Sequence, residues 1–528
     1  MELSMYDLRQ WSQQESLVDA MLKPDFYPKP AAEIAHKETH ISHLFFVGDL
    51  VYKIKKPVSF SFLDYSTLAK RRQFLNKELR LNRRLAPSVY LGVLPIALDE
   101  FGWRLGGSAE PAEYTLVMRR LPEKRMLPFL LDTGQVDEAM MRDLAGVLAD
   151  FHARAECWRS IDPTHYMAQL RSQWYENLAD LEPYLDPVNR GALRGLKNFG
   201  LEFFATHSEL LKRRVIDGWV RDVHGDLHGE HICFAPEGIQ IFDCIEFSDA
   251  LRRIDLAAEI AFLLMDLSVR GGALLRAPFL TRYGERLGDE QRAQLLPFFE
   301  TYRALVRAKV HVLREKRWND QAARYFSFAQ RVTWSCAEPF LLMICGLTGS
   351  GKSTLARALS ERLGVSVINS DVVRKKLTGQ NSHRVVPPDQ DIYSPTTTER
   401  TYSKMARKAE KQVTSGKGVI LDATFGRRAL REKIALLAER YGIPLAVIHC
   451  SAPEPTTARR LRDRAAQGTD ISDGRWEIYV AQKAAYEPME ELPAAAIFEL
   501  DTSASVAAMV AACEPFLRSR LLVRTTVA

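Results

Sequence analysis

Residues 346 to 354 read GLTGSGKST, and no other stretch of the chain restricts its fold as tightly. A glycine-rich run can aim successive backbone N–H groups at one anion only where a strand delivers the chain into the turn and a helix carries it away. Gly346, Gly351, Lys352 and Ser353 fall on the G-x-x-x-x-G-K-[ST] spacing, with the apolar FLLMICG before it and a helical pattern after it. From there on, VSVINSD, GVILDATF, PLAVIHCSA and AIFELDTS alternate with helical stretches. Alternating strands and helices imply a parallel, doubly wound sheet, so an α/β unit with a five-stranded parallel sheet is predicted over residues 338 to 528.

That leaves more than three hundred residues upstream. A chain of 528 residues is too long for a single core, and ordinary domain sizes suggest roughly two to four domains. ISHLFFVGDLVYKIKK, residues 41 to 56, reads as two strands joined at Gly48-Asp49. A helix follows: Leu68, Phe74, Leu75, Leu79, Leu81 and Leu85 recur at roughly helical spacing, and Pro87 ends the run. Two further strands, YLGVLPIAL and AEYTLVMRRL, complete a small β-rich lobe over about 36 to 120. Long helices such as VDEAMMRDLAGVLADFHARAE dominate about 125 to 337, interrupted only by strand-like pieces around polar loops at 220 to 247. The predicted domain boundary is near residue 337, with no internal repeat and no low-complexity linker.

Composition narrows the function classes. With 46% hydrophobic and 26% charged residues the chain is globular, and a net charge of +6 without a long basic run gives no nucleic-acid tail. The seven cysteines include no C-x-x-C pair, which argues against a disulfide framework or a thiolate zinc site and for a reducing compartment. The N-terminus lacks an apolar core of signal-peptide type, and longer apolar runs such as LAAEIAFLLMDL are broken by charge. A soluble, cytoplasmic protein with no membrane partner is expected.

The glycine-rich run carries specific chemistry. Gly346, Thr348, Gly349, Ser350, Gly351 and Thr354 form a cradle for the phosphates of ATP. Lys352 neutralises the β and γ charge, and Ser353 offers a hydroxyl to Mg²⁺. Asp422, ending the strand GVILDA, is placed to hold the same ion through water. In VINSDVVRKKL, Asp371 lies just past a strand's carboxyl end, where open α/β sheets bind ligands. There it can accept a proton from an attacking hydroxyl, and Arg374, one turn on, can hold an anionic acceptor or the transferred phosphoryl group. Asp371 also reads as the N-cap of the helix VVRKKL, a role compatible with catalysis. TARRLRDRA gathers Arg459, Arg460, Arg462 and Arg464 on one helix before the polar QGTDISDG. This is either a mobile lid bringing Arg460 and Arg464 onto phosphates or a solvated basic face.

On these positions, together with the S-D-x-x-R run at Ser370, Asp371 and Arg374 and the strand VILDATF, residues 340 to 528 resemble the small P-loop kinases that phosphorylate hydroxyl groups. That group includes gluconate kinase, chloramphenicol phosphotransferase, the zeta-toxin kinases and the polynucleotide 5'-hydroxyl kinases. The resemblance specifies the reaction and leaves the acceptor open.

A second, unrelated device lies earlier. HGDLHGEHICF, residues 224 to 234, resembles the catalytic loop of protein-kinase-like enzymes, which place a base Asp, a metal ligand five residues on, and a second metal-binding Asp in a following strand. The resemblance implies Asp226 as base, His231 and Asp243 as metal ligands, and His224 as a brace for the loop. It also implies Lys53 for the α and β phosphates and Glu78 to fix that lysine, although Lys55 shares the strand face by period two and each residue taken alone also reads as core or surface. With MRRLPE at 118 to 123 in the hinge position and RRIDLAAEIAFLLMDL after Asp243, this half resembles the aminoglycoside phosphotransferase branch of the kinase-like fold. The whole chain resembles bacterial two-domain proteins that join such a domain to a P-loop kinase. Two positions depart from the pattern: His231 stands where Asn is usual, and AHKETH, before the hairpin, holds no glycine to cover phosphates. No acidic cluster for a polycationic drug is visible, so the family name does not imply antibiotic resistance.

The expectation is an α+β kinase-like bilobal domain followed by an α/β P-loop NTPase domain, acting with ATP and Mg²⁺ as a bifunctional phosphotransferase on small-molecule hydroxyls. Two alternatives stay open. The N-terminal half could bind nucleotide without chemistry and regulate the other, or the C-terminal half could phosphorylate nucleic-acid 5' ends. The mild net charge and the lack of an aromatic and basic stripe weigh against the latter.

Overall fold

The computed structural model describes residues 5–29, 33–60, 63–106, 110–378, 394–467 and 476–522. The chain divides into two compact units, Met1–Arg171 with Thr206–Arg303, and Ser172–Ala205 with Ala304–Ala528.

In the first unit, strands β1 (Ile34–Glu38), β2 (Ser42–Val47) and β3 (Leu50–Lys55) precede a short hairpin of β4 (Ser59–Phe60) and β5 (Leu63–Asp64). After the helix Leu68–Asn82 come β6 (Tyr90–Asp99), β7 (Gly102–Leu105) and β8 (Pro111–Arg119). All but the short hairpin form one antiparallel sheet in the order β1-β2-β3-β8-β6-β7. Val47 faces Leu50 across the expected two-residue turn, where Gly48 takes φ +57°, a value that costs glycine nothing. The sheet has a core on each face. Tyr52 and Ile54 pack with Phe45 and Val117, while Val51 packs with Leu116 and with Leu75 of the helix. By the period of two, Lys53 and Lys55 share the side of Val51 and therefore face the helix.

The sequence reading missed β1, β7 and the short hairpin. β1 is a polar edge strand exposed along most of its length, and β7 has four residues, so neither shows an alternation long enough to read. Further along this unit, β9 (Val220–Asp222) pairs with β12 (Arg253–Asp255), and β10 (Ile232–Ala235) with β11 (Gly238–Ile241). The helix Leu256–Val269 is buried continuously from Leu256 to Leu267, which explains why LAAEIAFLLMDL is so apolar. No described helix is long and apolar enough to cross a membrane.

The second unit is built on β13 (Leu341–Cys345), β14 (Ser366–Asn369), β15 (Val419–Asp422), β16 (Leu445–Ser451) and β17 (Ile497–Asp501). They form the expected five-stranded parallel sheet, in the order β14-β15-β13-β16-β17. Every residue of β13 is buried. Leu341, Met343 and Cys345 join the core on one face, and Leu342 and Ile344 the core on the other, where Leu355 and Leu359 of the helix Lys352–Leu363 pack. A strand covered on both faces reads as a continuous apolar run. The carboxyl ends of β13, β14 and β15 lead into residues 346–351, Ser370 and Ala423 respectively, so one edge of the sheet collects the candidate residues.

Candidate active sites

In the second unit the turn after β13 holds Gly346, Gly349 and Gly351 at φ +133°, +77° and +83°. A Cβ on Gly346 would stand 2.2 Å from the Cys450 carbonyl oxygen, so this loop cannot form with a larger residue there. Lys352 begins the following helix and donates from Nζ to the Leu347 carbonyl at 2.6 Å. Burial holds its ammonium below the ordinary range, against the pull of Asp422 and Asp371. Desolvated positive charge of this kind suits an incoming polyphosphate.

Asn369, which the sequence reading passed over, organises the opposite wall. Its Oδ1 accepts the N–H groups of Asp371 at 2.9 Å and Val372 at 3.0 Å, and its Nδ2 donates to Asp422 Oδ2 at 2.7 Å. It is the N-cap of the helix Ser370–Leu377. The capping role considered for Asp371 is therefore corrected: Asp371 lies in the first turn, with Arg374 Nη1 3.7 Å from its Oδ1. A cavity of about 480 Å³ is lined by Lys352, Ser353, Asp371, Arg374 and Asp422. Thr348, Gly349, Gly351 and Thr354 also line it. Gln482, another residue the sequence did not flag, reaches the cavity from the helix Trp476–Ala484 and accepts the Thr348 N–H at 2.9 Å.

Ser350 is buried, and its carbonyl accepts from Thr502 Oγ1 at 2.8 Å. The Arg460 guanidinium is engaged behind the loop, donating to the Thr502 carbonyl at 2.6 Å, to Thr502 Oγ1 at 3.0 Å and to the Gly349 carbonyl at 3.5 Å. Arg464 belongs to the helix Glu454–Gln467. Its side chain, like nearly all of the polar stretch after it, lies outside the described residues.

In the first unit, Glu78 is fully buried and receives both lysines. Lys53 Nζ lies 2.7 Å from Glu78 Oε1 and 3.4 Å from Asp243 Oδ1. Lys55, with a completely buried side chain, lies 2.8 Å from Glu78 Oε2 and 2.6 Å from Glu246 Oε1, and contacts the Tyr65 hydroxyl at 3.3 Å. Of the two lysines, it is Lys53 that reaches Asp243, while Lys55 is taken up by Glu78 and Glu246. Glu246 was not anticipated; it follows Asp243 by three residues but meets a lysine 191 positions away.

The loop HGDLHGEHICF is held from below. Glu259, also not anticipated, accepts the N–H groups of His224 at 2.9 Å and Gly225 at 3.1 Å, and burial pushes its carboxyl up to about 7 against the pull of Arg303 and these N–H groups. At Gly225, φ is +85° and a Cβ would meet the Leu251 carbonyl at 2.8 Å. His224 braces the loop as expected: Nε2 donates to the Phe242 carbonyl at 2.8 Å and Nδ1 accepts the Asp226 N–H at 3.3 Å. Asp243 takes φ +63° and donates its N–H to the Tyr90 hydroxyl at 3.1 Å. An aspartate in this left-handed region stores strain that the surrounding contacts must hold. Burial raises the carboxyls of Asp226 and Asp243, but neighbouring groups outweigh it. His228 and His231 hold Asp226 well below its usual range, and Lys53 and His231 hold Asp243 at about 2.

AHKETH turns out to be most of β1 and a tight turn. Thr39 donates its N–H to the Ser42 carbonyl at 2.9 Å, while its hydroxyl accepts the Ser42 N–H at 3.0 Å.

Two family models match separate stretches of the chain. The phosphotransferase enzyme family matches residues 61–296, and an AAA domain family matches 341–489. The uncharacterized protein Rv2004c of Mycobacterium tuberculosis is 34% identical over 443 residues, covering 83% of this chain and 87% of that protein. The chain belongs to this family of two-domain kinases, an aminoglycoside phosphotransferase-like domain followed by a P-loop kinase domain. It is an ATP-dependent phosphotransferase. The adenylyl-sulfate kinase of Myxococcus xanthus is 33% identical over 118 residues, covering 22% of this chain and 58% of that protein. A gluconokinase structure from Sinorhizobium meliloti 1021 covers 35% of this chain and 94% of its own at 19% identity, with a TM-score of 0.26.

Kinases of these families use ATP, usually with Mg²⁺. In the second unit the donors fit that ion, because the Ser353 hydroxyl and the Asp422 carboxylate at the cavity are both oxygen. In the first unit they do not, because imidazoles of His228 and His231 converge with the Asp226 carboxylate.

Proposed function

We propose that the chain is a bifunctional phosphotransferase that moves the γ-phosphoryl group of ATP to hydroxyl groups of two small-molecule acceptors, one per unit. The observation that carries this reading is the cavity of the second unit, where a lysine, a hydroxyl, two carboxylates and an arginine share one space of about 480 Å³, a size suited to small ligands. Lys352 neutralises charge on the transferred group, Asp371 takes the proton of the attacking hydroxyl, and Arg374 holds an anionic part of the acceptor or the phosphoryl group in flight. Mg²⁺ held by Ser353 and Asp422 would spread the charge of the β and γ phosphates. In the first unit Asp226 is the base and Lys53, oriented by Glu78, the phosphate contact.

A second reading rests on the short turn in place of a phosphate-covering loop and on His231: the first unit binds nucleotide without turnover and sets the rate at the second.

The test is transfer from γ-labelled ATP to pooled sugars, polyols, nucleosides and aminoglycosides by the full chain, by Asp226→Ala, by Asp243→Ala and by Lys352→Ala. Two acceptor sets, each lost with one variant, support bifunctionality. A single activity lost with Lys352→Ala and merely shifted by Asp243→Ala selects the second reading. Transfer undiminished by either substitution sinks both.

A further inference from the structure

The first unit's cluster of Asp226, His228, His231 and Asp243 has a geometry that Mg²⁺ does not explain. One donor atom from each of Asp226, His228 and His231 lies within 4.8 Å of the others. His231 Nδ1 is 2.9 Å from the Asp226 carbonyl oxygen. A carbonyl only accepts, so Nδ1 carries the hydrogen and the lone pair of the neutral ring is on Nε2. That lone pair faces Asp243 Oδ2 at 3.5 Å. On the other side, His228 Nε2 stands 3.6 Å from Asp226 Oδ2.

Electron pairs turned toward one another repel unless a proton or a metal ion sits between them, and 3.5 Å is longer than a proton-bridged N–H···O bond. The spacing suits one: ligands about 2.1 Å from a tetrahedral ion stand roughly 3.4 Å apart. A ring N–H tied to a backbone carbonyl is also how proteins orient metal-binding imidazoles and fix their tautomer. Mg²⁺ takes oxygen ligands and sheds water reluctantly, whereas imidazole favours first-row transition dications.

We infer that the first unit holds a transition dication of the Mn²⁺, Co²⁺ or Zn²⁺ class between His231 Nε2 and Asp243 Oδ2. This rests on reading the unit as a phosphotransferase site only for where the nucleotide would lie; the ion is assigned from the donors themselves. The consequence is a chain whose two units use different metals, a hard one at Asp422 and a borderline one at His231.

The experiment uses the full chain without nucleotide and Co²⁺ alone as the probe, in an Asp422→Asn background so that the second unit contributes no site. The expected result is one saturable Co²⁺ per chain with a visible absorption band of imidazole ligation, not displaced by a hundredfold excess of Mg²⁺. His231→Ala should weaken Co²⁺ binding by about 10- to 100-fold. His231→Asn, a milder replacement, should make Mg²⁺ an effective competitor. Displacement of Co²⁺ by equimolar Mg²⁺, or Co²⁺ binding unchanged in the histidine variants, overturns the inference. Should His231→Ala fail to fold, the Mg²⁺ competition on the unsubstituted histidine site decides alone. Nucleotide binding is measured separately with Co²⁺ present. Co²⁺ at His231 without nucleotide binding would sink the phosphotransferase reading of this unit and leave the metal assignment standing.

Discussion

The two units handle a candidate phosphate-binding lysine in opposite ways. Lys352 bonds a carbonyl five residues away in its own loop, whereas Lys53 is held by Glu78 and Asp243, which lie 25 and 190 residues away. One lysine is held by a local turn, the other by tertiary structure. A locally built cradle can lose its lysine without unfolding. In the other unit Lys55 is fully buried and Lys53 nearly so.

Substitutions can break that comparison. The largest effect is expected in the first unit. Lys55→Met strands the buried carboxylates of Glu246 and, in part, Glu78, at a cost of about 3–5 kcal/mol, read as a loss of denaturant midpoint. Lys53→Met should cost less than about 1 kcal/mol in stability, because Lys55 still neutralises Glu78. Equal destabilisation by the two would mean that the lysines do not divide their roles.

Next comes Lys352→Ala, for which transfer at the P-loop site should fall by about 10²- to 10³-fold, with the midpoint unchanged. A large drop in midpoint would show that this lysine, too, is structural. Asp371→Asn should lower kcat there on the order of 10²-fold and leave nucleotide affinity as it was. Because Asn369 supplies the cap, the helix should persist. A parallel collapse of nucleotide affinity would make Asp371 part of the phosphate cradle instead.

The last test is a slope. Burial raises Glu259 from its ordinary 4.5 to about 7 in the folded chain. Below 4.5 the folded and unfolded forms both carry the proton, and above 7 neither does. Between those values only the folded form keeps it, so stability falls as pH rises through that window. Glu259→Gln should flatten this part of the midpoint-versus-pH curve, and an unchanged slope would assign it to another group.

The same contrast governs what could be read from sequence. The P-loop, the five parallel strands and the hairpin at Gly48-Asp49 are contiguous patterns, and all were legible. HGDLHGEHICF was legible as a loop, but its support by Glu259 was not, because a glutamate inside an apolar helix carries no sign of which N–H groups it will meet. Glu246 and Tyr65 were hidden for the same reason. Asn369 was hidden differently: Asn and Asp are both good N-caps, and only the end of β14 decides which of Asn369 and Asp371 caps. Arg460 read as either a lid arginine for phosphates or part of a solvated basic helix face, yet it meets the Thr502 carbonyl at 2.6 Å, a contact fixed by where β17 ends.

Asn369 has a consequence for how this site can vary. Its carboxamide is used at both ends, accepting two helix N–H groups and donating to Asp422. Asp would keep the cap but set one carboxylate against another. Ser would cap without reaching, and Gln, one methylene longer, would displace one end or the other. A position whose closest chemical neighbours each break a different contact has almost no neutral route by which to drift. Its change should come together with change at Asp422, so that the two behave in a lineage as a single heritable unit.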